Sequence, residues 1–280
     1  MSRPAADPKD AATVLVLRPG EGDDPFEIFM VRRHGKSGFM AGAHVFPGGK
    51  LDEEDGSDAI LDRCIGLTAD AAAKRLAETD GRRALALHVA AIRETFEEAG
   101  VLLADGADAI ELEDARKKLH EGTFSFERFV IEADLQLRVG ELQPQARWIT
   151  PEVEPRRYDT RFFLAPAPRA QTATHDAIET TAGEWLSPTG AIEKMNDGAI
   201  QLPPPTLRTL QVLATSNTIN DAFADAASRK PPTIMPTFHD DDGTFVLALP
   251  GDSKHPVSER AFPGPTRLVL QDGRWWAREG

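Results

Sequence analysis

The chain has 280 residues, enough for one large domain or a domain with an extension, and a formal net charge of −13. That charge argues against sequence-independent binding to a nucleic acid backbone, and the single cysteine, Cys64, excludes an internal disulfide and is typical of a reducing compartment. Residues 1–10 lack the apolar segment of a signal peptide, and no apolar run reaches about 18 residues. We therefore expect a cytoplasmic protein without a membrane partner.

The first part of the chain predicts short strands followed by helices. Apolar runs bounded by Gly, Pro and Asp predict strands at residues 13–17, 26–31 and 44–46. Apolar residues at helical spacing predict helices at residues 58–78 and 82–99.

The middle of the chain continues the alternation. Helices are predicted at residues 112–119, 126–135 and 188–196, and strands at residues 146–149, 161–165 and 178–186. Alternating strands and helices favour a layered α/β fold. Parallel and antiparallel pairs should mix in its sheet, because several connections are too short for a crossover helix.

The character of the chain changes after the three prolines at residues 203–205. A helix is predicted at 206–228, and strands at 245–249, 267–270 and 274–277. Asp272-Gly273 is a strong hairpin signal between the last two strands. We expect residues 203–280 to form a C-terminal extension, a helix plus a β-hairpin, packed on or beside a main domain of residues 8–202.

The helix predicted at residues 82–99 ends in an unusual concentration of acid. Glu94, Glu97 and Glu98 stand at positions i, i+3 and i+4 and share one helix face. Gly100 predicts the helix end, which places two of these carboxylates at the negative end of the helix dipole. Arg93 alone offers local compensation. A divalent cation would relieve the repulsion, and the alternative is a solvated acidic face.

This segment, taken with Gly49, resembles the signature of the Nudix hydrolases, which runs Gly, five residues, Glu, seven residues, then Arg-Glu-apolar-x-Glu-Glu-x-Gly-apolar. The matching positions are Gly49, Arg93, Glu94, Glu97, Glu98, Gly100 and Val101. Thr95 stands where an apolar residue is usual, and Asp55 stands where the first glutamate is expected.

The interrupted spacing resembles that of one branch of the family. Arg93 lies 44 residues after Gly49, whereas the signature places this arginine 14 residues after the glycine, so 30 residues are inserted. Together with the stretch at residues 39–49, FMAGAHVFPGG, this interruption resembles the branch related to the peroxisomal coenzyme A diphosphatases. The stretch at residues 156–164, RRYDTRFFL, is also similar to that branch.

The resemblance implies a fold and a metal site. The fold would be an α/β/α sandwich around a mixed β-sheet, with a helical insertion inside the signature at about residues 52–82. Glu97 and Glu98 would bind Mg²⁺ or Mn²⁺, Glu94 would be a third ligand or help to activate water, and Gly49 would contribute its carbonyl oxygen. Arg93 would orient Glu97 or neutralise the crowded helix, and both roles can hold together.

Further candidates lie outside the matched positions. An additional acid often serves Nudix hydrolases as a base or extra ligand, and the candidates here are Asp55, Glu179 and Glu184. Asp55 can equally belong to a solvated loop, and the two glutamates can be structural or solvated. The candidates for contacts with substrate are Arg156, Arg157, Arg161 and Tyr158. The alternative for the arginines is ion pairing, and the alternative for Tyr158 is packing in the core.

The leading hypothesis is a metal-dependent pyrophosphohydrolase that cleaves a nucleoside diphosphate linked to another moiety, with coenzyme A or acyl-coenzyme A as the first substrate to test. The alternative is a non-catalytic nucleotide-binding Nudix module with a regulatory role. Loss of the signature carboxylates would mark such a module, and here all three are present. No nucleic acid partner is expected, and a homodimer remains open.

Overall fold

The computed structural model of the protein describes residues 5–34, 42–107, 110–176, 178 and 180–280. The helices are α1 (Asp58–Leu61), α2 (Ala69–Leu76), α3 (Gly81–Ala99), α4 (Leu112–His120), α5 (Phe126–Glu132), α6 (Pro188–Asn196), α7 (Pro204–Leu213) and α8 (Ile219–Ala227). The strands of the main sheet and of a small ladder are β1 (Lys9–Pro19), β2 (Phe26–Arg33), β3 (His44–Val45), β4 (Gly48–Lys50), β5 (Ala104–Asp105), β6 (Gln136–Leu137), β7 (Gln143–Ile149), β8 (Tyr158–Pro166), β9 (Thr180–Leu186) and β10 (Thr233–Ile234). A second sheet contains β11 (Thr237–Asp241), β12 (Thr244–Ala248), β13 (Arg267–Gln271) and β14 (Arg274–Arg278).

Strand β1 organises the main sheet because three strands pair with it. It runs parallel to β8 along one edge, while its other edge is shared by β4 near its start and β2 near its end. Thr13 lies opposite Gly48, and Leu17 lies opposite Ile28. Parallel and antiparallel pairs therefore mix in one sheet, which confirms the predicted sheet type.

The two faces of this sheet are buried against different layers. Along β1, Val14 and Val16 belong to the core cluster that contains α3, while Leu15 and Leu17 belong to the cluster that contains residues of α6, α7 and α8. This alternation follows from the two-residue period of a strand. The result is the predicted α/β/α arrangement.

The insertion differs from the single helix predicted at residues 58–78. It contains a 3₁₀ turn (Glu53–Gly56) followed by α1 and α2. Gly66 adopts a left-handed φ of 78°, and the Thr68 side chain accepts a hydrogen bond from the N–H of Ala71, so the chain turns and starts a new helix. Ile60, Ala72 and Leu76 anchor the insertion in the core around α3.

The C-terminal region also differs from its prediction. The helix predicted at residues 206–228 is two helices, α7 and α8, because Thr218 caps a second start by accepting from the N–H of Asp221. The expected hairpin, β13–β14, is half of a four-stranded antiparallel sheet. Leu247, Leu249 and Leu268 pack into the same core cluster as α7. The division of the chain between residues 202 and 203 stays a prediction.

No helix within the described ranges combines the length and the apolar composition that a membrane span requires.

Candidate active site

Helix α3 holds the acidic face in place by burying its opposite side. Leu85, Val89, Ile92 and Phe96 are buried in the core, as the helical spacing predicts. The helix ends at the predicted glycine: Gly100 has a φ of 67°, and its N–H donates to the carbonyl oxygen of Phe96. The carboxylates therefore lie on a rigid helix end.

The negative end of α3 receives donors from other parts of the chain. Arg116 Nε donates to the carbonyl oxygen of Glu97 at 2.8 Å, and His120 Nε2 lies 3.0 Å from the same oxygen. The N–H of Gly48 donates to the Glu98 carboxylate at 2.9 Å. These contacts offset the unfavourable interaction of the carboxylates with the helix dipole.

Arg93 lies at the centre of the acidic cluster and is only 7% exposed. Its guanidinium donates two hydrogen bonds to Asp55, at 2.8 and 2.9 Å, and one to Glu94 at 2.8 Å. It also contacts Glu97 at 3.5 Å and the carbonyl oxygen of Lys50 at 2.8 Å. Arg93 therefore contacts two glutamates of the cluster and balances part of its charge, while its role in a reaction stays a prediction.

Asp55 is the partner that fixes Arg93. It is 1% exposed, and besides Arg93 it accepts a hydrogen bond from the N–H of Asp52 at 2.8 Å. The alternative of a solvated loop is therefore wrong for this residue. The Asp55 carboxylate also does not line the cavity described below, because the bidentate pair with Arg93 holds it beneath the acidic face.

The acidic cluster has perturbed proton affinities. Burial raises the pKa of Glu94 to about 7, while Arg93 opposes this rise and Glu97 adds to it. Burial also raises the pKa of Glu97. Burial alone would lower the pKa of Arg93, but Asp55, Glu94 and Glu97 together raise it above its ordinary value. Such shifts in a cleft are typical of functional sites.

Strand β4 approaches α3 so closely that a side chain at Gly49 would meet the Glu94 carboxylate. A Cβ atom there would lie 2.5 Å from the carboxylate of Glu94. A Cβ at Gly48 would lie 2.4 Å from the carbonyl oxygen of Ala12. The close packing of β4 between β1 and α3 therefore favours glycine at both positions.

A cavity of about 830 Å³ opens beside this cluster. Its acidic wall contains Glu94, Glu97 and Glu98, together with Gly48 and Gly49. Three sheet aromatics also line it: Trp148, Tyr158 and Phe162. The C-terminal sheet adds Phe238, Phe245, Leu247 and Trp275. A volume of this size is in the range of small-molecule sites.

Only one of the four predicted substrate contacts lines the cavity, and that residue is Tyr158. Arg161 is 2% exposed and forms ion pairs with Asp10, Glu78 and Asp159. These three acids hold it inside the protein, so its prediction as a substrate contact is contradicted by its burial.

The neighbouring arginines are also directed elsewhere. Arg157 is buried and donates to the carbonyl oxygens of Thr150 and Ala6. Arg156 is exposed and does not line the cavity. The two buried arginines of this stretch, Arg157 and Arg161, therefore contribute to the fold around β8.

Two cations that sequence reasoning missed do line the cavity, Arg33 and Lys50. The Nε atom of Arg33 is buried and has no hydrogen-bond partner among the described residues, and the same holds for the indole N–H of Trp148. Lys50 directly follows the Gly-Gly pair, so its position next to a predicted site residue could have identified it as a candidate from the sequence. Arg33 ends an apolar strand and carries no such signal.

Of the two remaining accessory acids, the structure describes Glu184. Glu184 lies on β9, where it pairs with His44 Nε2 at 3.2 Å and Lys194 Nζ at 2.5 Å, and it does not line the cavity. These two partners give it the structural role that was its alternative. Glu179 lies outside the described residues.

The donor set at the helix end suits a hard divalent cation. Glu94, Glu97 and Glu98 offer carboxylate oxygens beside the backbone of Gly49, which no Cβ shields. A cation bound there would lower the raised pKa values of Glu94 and Glu97. The carboxylates of Glu94 and Glu97 contact the Arg93 guanidinium, and the Glu98 carboxylate accepts a hydrogen bond from the N–H of Gly48. Within the described ranges, no three His, Cys, Asp or Glu side chains converge as a metal site.

The chain resembles known proteins over most of its length. A family model described as the NUDT19 Nudix domain matches residues 8–213. An acyl-coenzyme A diphosphatase NUDT19 from Gallus gallus is 31% identical over 94% of this chain and 83% of its own. The Homo sapiens protein of that name is 30% identical over 84% and 72%, respectively.

A solved structure supports the same grouping. The crystal structure of a NUDIX hydrolase from Alicyclobacillus acidocaldarius is 28% identical and superimposes with a TM-score of 0.66, covering 78% of this chain and 96% of that one. Nudix hydrolases generally use divalent metals. With its acidic helix end, its Gly-Gly strand and a family match across residues 8–213, the chain belongs to the Nudix hydrolases, enzymes that cleave pyrophosphate bonds.

Proposed function

We propose that this protein is a metal-dependent hydrolase of a nucleoside diphosphate linked to a second moiety, with coenzyme A or acyl-coenzyme A as its substrate. The observation that carries the proposal is the position of Glu94, Glu97 and Glu98 on one wall of the 830 Å³ cavity. The names of the NUDT19 relatives support the substrate class.

The proposed metal is Mg²⁺ or Mn²⁺, held by Glu97 and Glu98, with Glu94 and the carbonyl oxygen of Gly49 completing the protein ligands. When bound, such an ion acidifies water and neutralises charge on a diphosphate. Arg93 positions the glutamates, because its guanidinium contacts two of them and is itself held by Asp55.

The proposed diphosphate contacts are Arg33 and Lys50. Both line the cavity that contains the carboxylates. A guanidinium and an ammonium group are charged donors, and they suit the oxygens of a diphosphate. Tyr158 and Trp148 also line the cavity and offer further contacts for the substrate.

The test is hydrolysis of a panel that contains coenzyme A, acyl-coenzyme A, ADP-ribose and dinucleoside polyphosphates, with Mg²⁺ or Mn²⁺. Glu97→Gln should lose most activity while it keeps its fold by circular dichroism. The control is Glu111→Gln, an exposed acid that does not line the cavity, and its turnover should equal that of wild type.

Three outcomes distinguish a coenzyme A hydrolase from the alternative functions. Turnover of coenzyme A species above the other substrates supports the proposal. Equal turnover by wild type and Glu97→Gln contradicts the metal site. Binding of a nucleotide without turnover of any panel member would identify a non-catalytic module instead.

A further inference from the structure

The C-terminal sheet presents a largely apolar face, which also carries Asp240 opposite Phe245. Phe238 lies opposite Leu247, Leu247 lies opposite Leu268, and Leu268 lies opposite Ala277, so these residues point to one side. Phe245 and Trp275 stand two residues from Leu247 and Ala277 on the same strands, and therefore point to that side as well.

This face contacts the protein core at one end and lines the cavity at the other. Leu247 and Leu268 are buried in the core beside α7. Further along, Phe238, Phe245, Leu247 and Trp275 line the cavity that contains the acidic helix end. The sheet therefore continues from the protein core into a wall of the candidate active site.

Part of this wall is apolar surface that the fold leaves open. Phe245 is 53% exposed, although its ring lies 5.3 Å from that of Phe238. Val153, in the connection between β7 and β8, also lines the cavity and is 62% exposed. Open apolar side chains that line a cavity are typical of a ligand contact rather than of core packing.

We propose that this apolar face binds the acyl chain of the substrate and that Phe245 sets the preference for chain length. The proposal rests on the proposed function, since it assigns one end of the same substrate. Phe238, Phe245, Leu247 and Val153 offer hydrocarbon alone. A nucleobase edge placed there would lose hydrogen bonds to water without replacement, whereas an acyl chain has none to lose.

If the acyl chain is buried against this wall, kcat/KM should increase with the length of the acyl chain. Each methylene fully removed from water contributes about fourfold in affinity, and partial contact contributes less. Wild type should therefore turn over octanoyl-coenzyme A with a kcat/KM about tenfold above that of coenzyme A, through a lower KM.

The experiment measures kcat and KM for coenzyme A, acetyl-coenzyme A and octanoyl-coenzyme A with Mg²⁺ in wild type and Phe245→Ala. The variant should lose about fivefold in kcat/KM for octanoyl-coenzyme A through KM, and stay within about twofold for coenzyme A. Phe245→Leu should restore most of the preference, because it restores apolar surface. Val257→Ala is the matched control, an exposed apolar residue of the same region that does not line the cavity.

The remaining outcomes overturn the subsite in distinguishable ways. Equal loss for coenzyme A and octanoyl-coenzyme A would place the nucleotide or pantetheine part on this wall. Unchanged kinetics for both would mean that the wall contacts no substrate. If wild type cleaves none of these compounds, the proposed function itself fails, and the acyl subsite fails with it.

Discussion

Arg93 shows how a single residue links the fold to the candidate chemistry. Its charge is surrounded by Asp52, Asp55, Glu94 and Glu97, and its side chain is almost fully buried. A buried cation requires partners with good geometry, and Asp55 provides a bidentate one. The 3₁₀ turn of the insertion therefore determines where the guanidinium, and with it the acidic face, is held.

Asp55→Asn tests this coupling. The variant leaves Arg93 without its buried bidentate partner, so the free energy of unfolding should fall by about 3 kcal/mol. Turnover should fall as well, because Glu94 and Glu97 lose a fixed neighbour. Urea denaturation and steady-state kinetics measure the two effects. Glu53→Gln, at an exposed acid two residues earlier, should change neither, and a variant of Asp55 as stable as wild type would contradict the assignment.

Arg33→Gln tests the proposed diphosphate contact. Loss of a charge-assisted hydrogen bond to substrate should raise KM about tenfold, with a smaller change in kcat. The comparison is Arg156→Gln, since Arg156 is exposed and does not line the cavity, and its KM should stay at the wild-type value. A KM that rises equally in both variants would indicate a general charge effect.

His88 makes the free energy of unfolding depend on pH in the acid range. It is fully buried in the core, with Nδ1 2.8 Å from the carbonyl oxygen of Ala84, and burial lowers its pKa from 6.5 to about 4. Between these values the unfolded chain binds the proton more readily than the folded protein. The stabilisation from neutral His88 is therefore complete above pH 6.5 and is lost as the pH falls towards 4.

His88→Leu tests the contribution of this histidine to the pH dependence of the unfolding free energy. From pH 7 to pH 4, wild type should lose about 3 kcal/mol more unfolding free energy than the variant, because leucine has no proton to bind. Urea titrations of both proteins at several pH values provide the measurement. Parallel losses in the two proteins would show that His88 is not the source.

At the scale of elements, the site depends on the contact between β4 and α3. Gly49→Ala would place a Cβ atom 2.5 Å from the Glu94 carboxylate, so either the strand or the glutamate must move. A displacement of about 1 Å at a catalytic group can cost about a hundredfold in rate, and we expect a loss of kcat of this order.

Gly56→Ala is the matched control for that variant. A Cβ atom at Gly56 would meet the Cβ of Ala86 at 3.6 Å, an ordinary contact, so its kinetics should stay close to wild type. The same assay on both variants separates the local requirement at β4 from a general effect of a lost glycine. Full activity of Gly49→Ala would contradict the close-packing argument.

The hairpins of the second sheet show how far local patterns could predict elements. Asp272 and Gly273 both adopt positive φ, at 52° and 73°, as the predicted turn requires. Asp242-Gly243 has the same geometry, at 52° and 85°, and joins β11 to β12. Strand β11 was missed because its sequence, TFHDD, is polar and half-buried, although the turn that follows it carried the signal.

At the scale of the whole molecule, the second sheet closes one of the two core clusters. Leu247, Leu249, Phe262 and Leu268 belong to the cluster that covers the α7 side of the main sheet. A chain truncated after Met235 would expose this cluster. Its thermal transition should broaden and fall by at least about 10 °C, with increased binding of a hydrophobic dye.

Phe245→Ala provides the comparison for the truncation. This half-exposed residue contributes to the cavity wall more than to the core, so its melting temperature should stay within about 3 °C of wild type. Calorimetry of the two proteins distinguishes a sheet needed for folding from a sheet needed for substrate alone. A truncated protein that melts like wild type would show that residues 236–280 are an independent addition.

The sequence by itself determined the arrangement of acidic residues at the helix end. The spacing of Glu94, Glu97 and Glu98, the stop at Gly100 and the nearby Gly-Gly pair are local patterns, and one helix and one strand are enough to express them. The overall layering was also predictable, because strand and helix periods are read over a few residues.

Only the tertiary structure decided which charged side chains face the cavity. Arg161 is buried against Asp159 of its own strand and against two acids from distant segments, Asp10 and Glu78. Asp55 is held by a residue 38 positions away, whereas Arg33 lines the cavity. The apolar wall likewise comes from strands more than a hundred residues beyond the signature. The role of a charge depends on its partners and its burial, and long-range packing sets both.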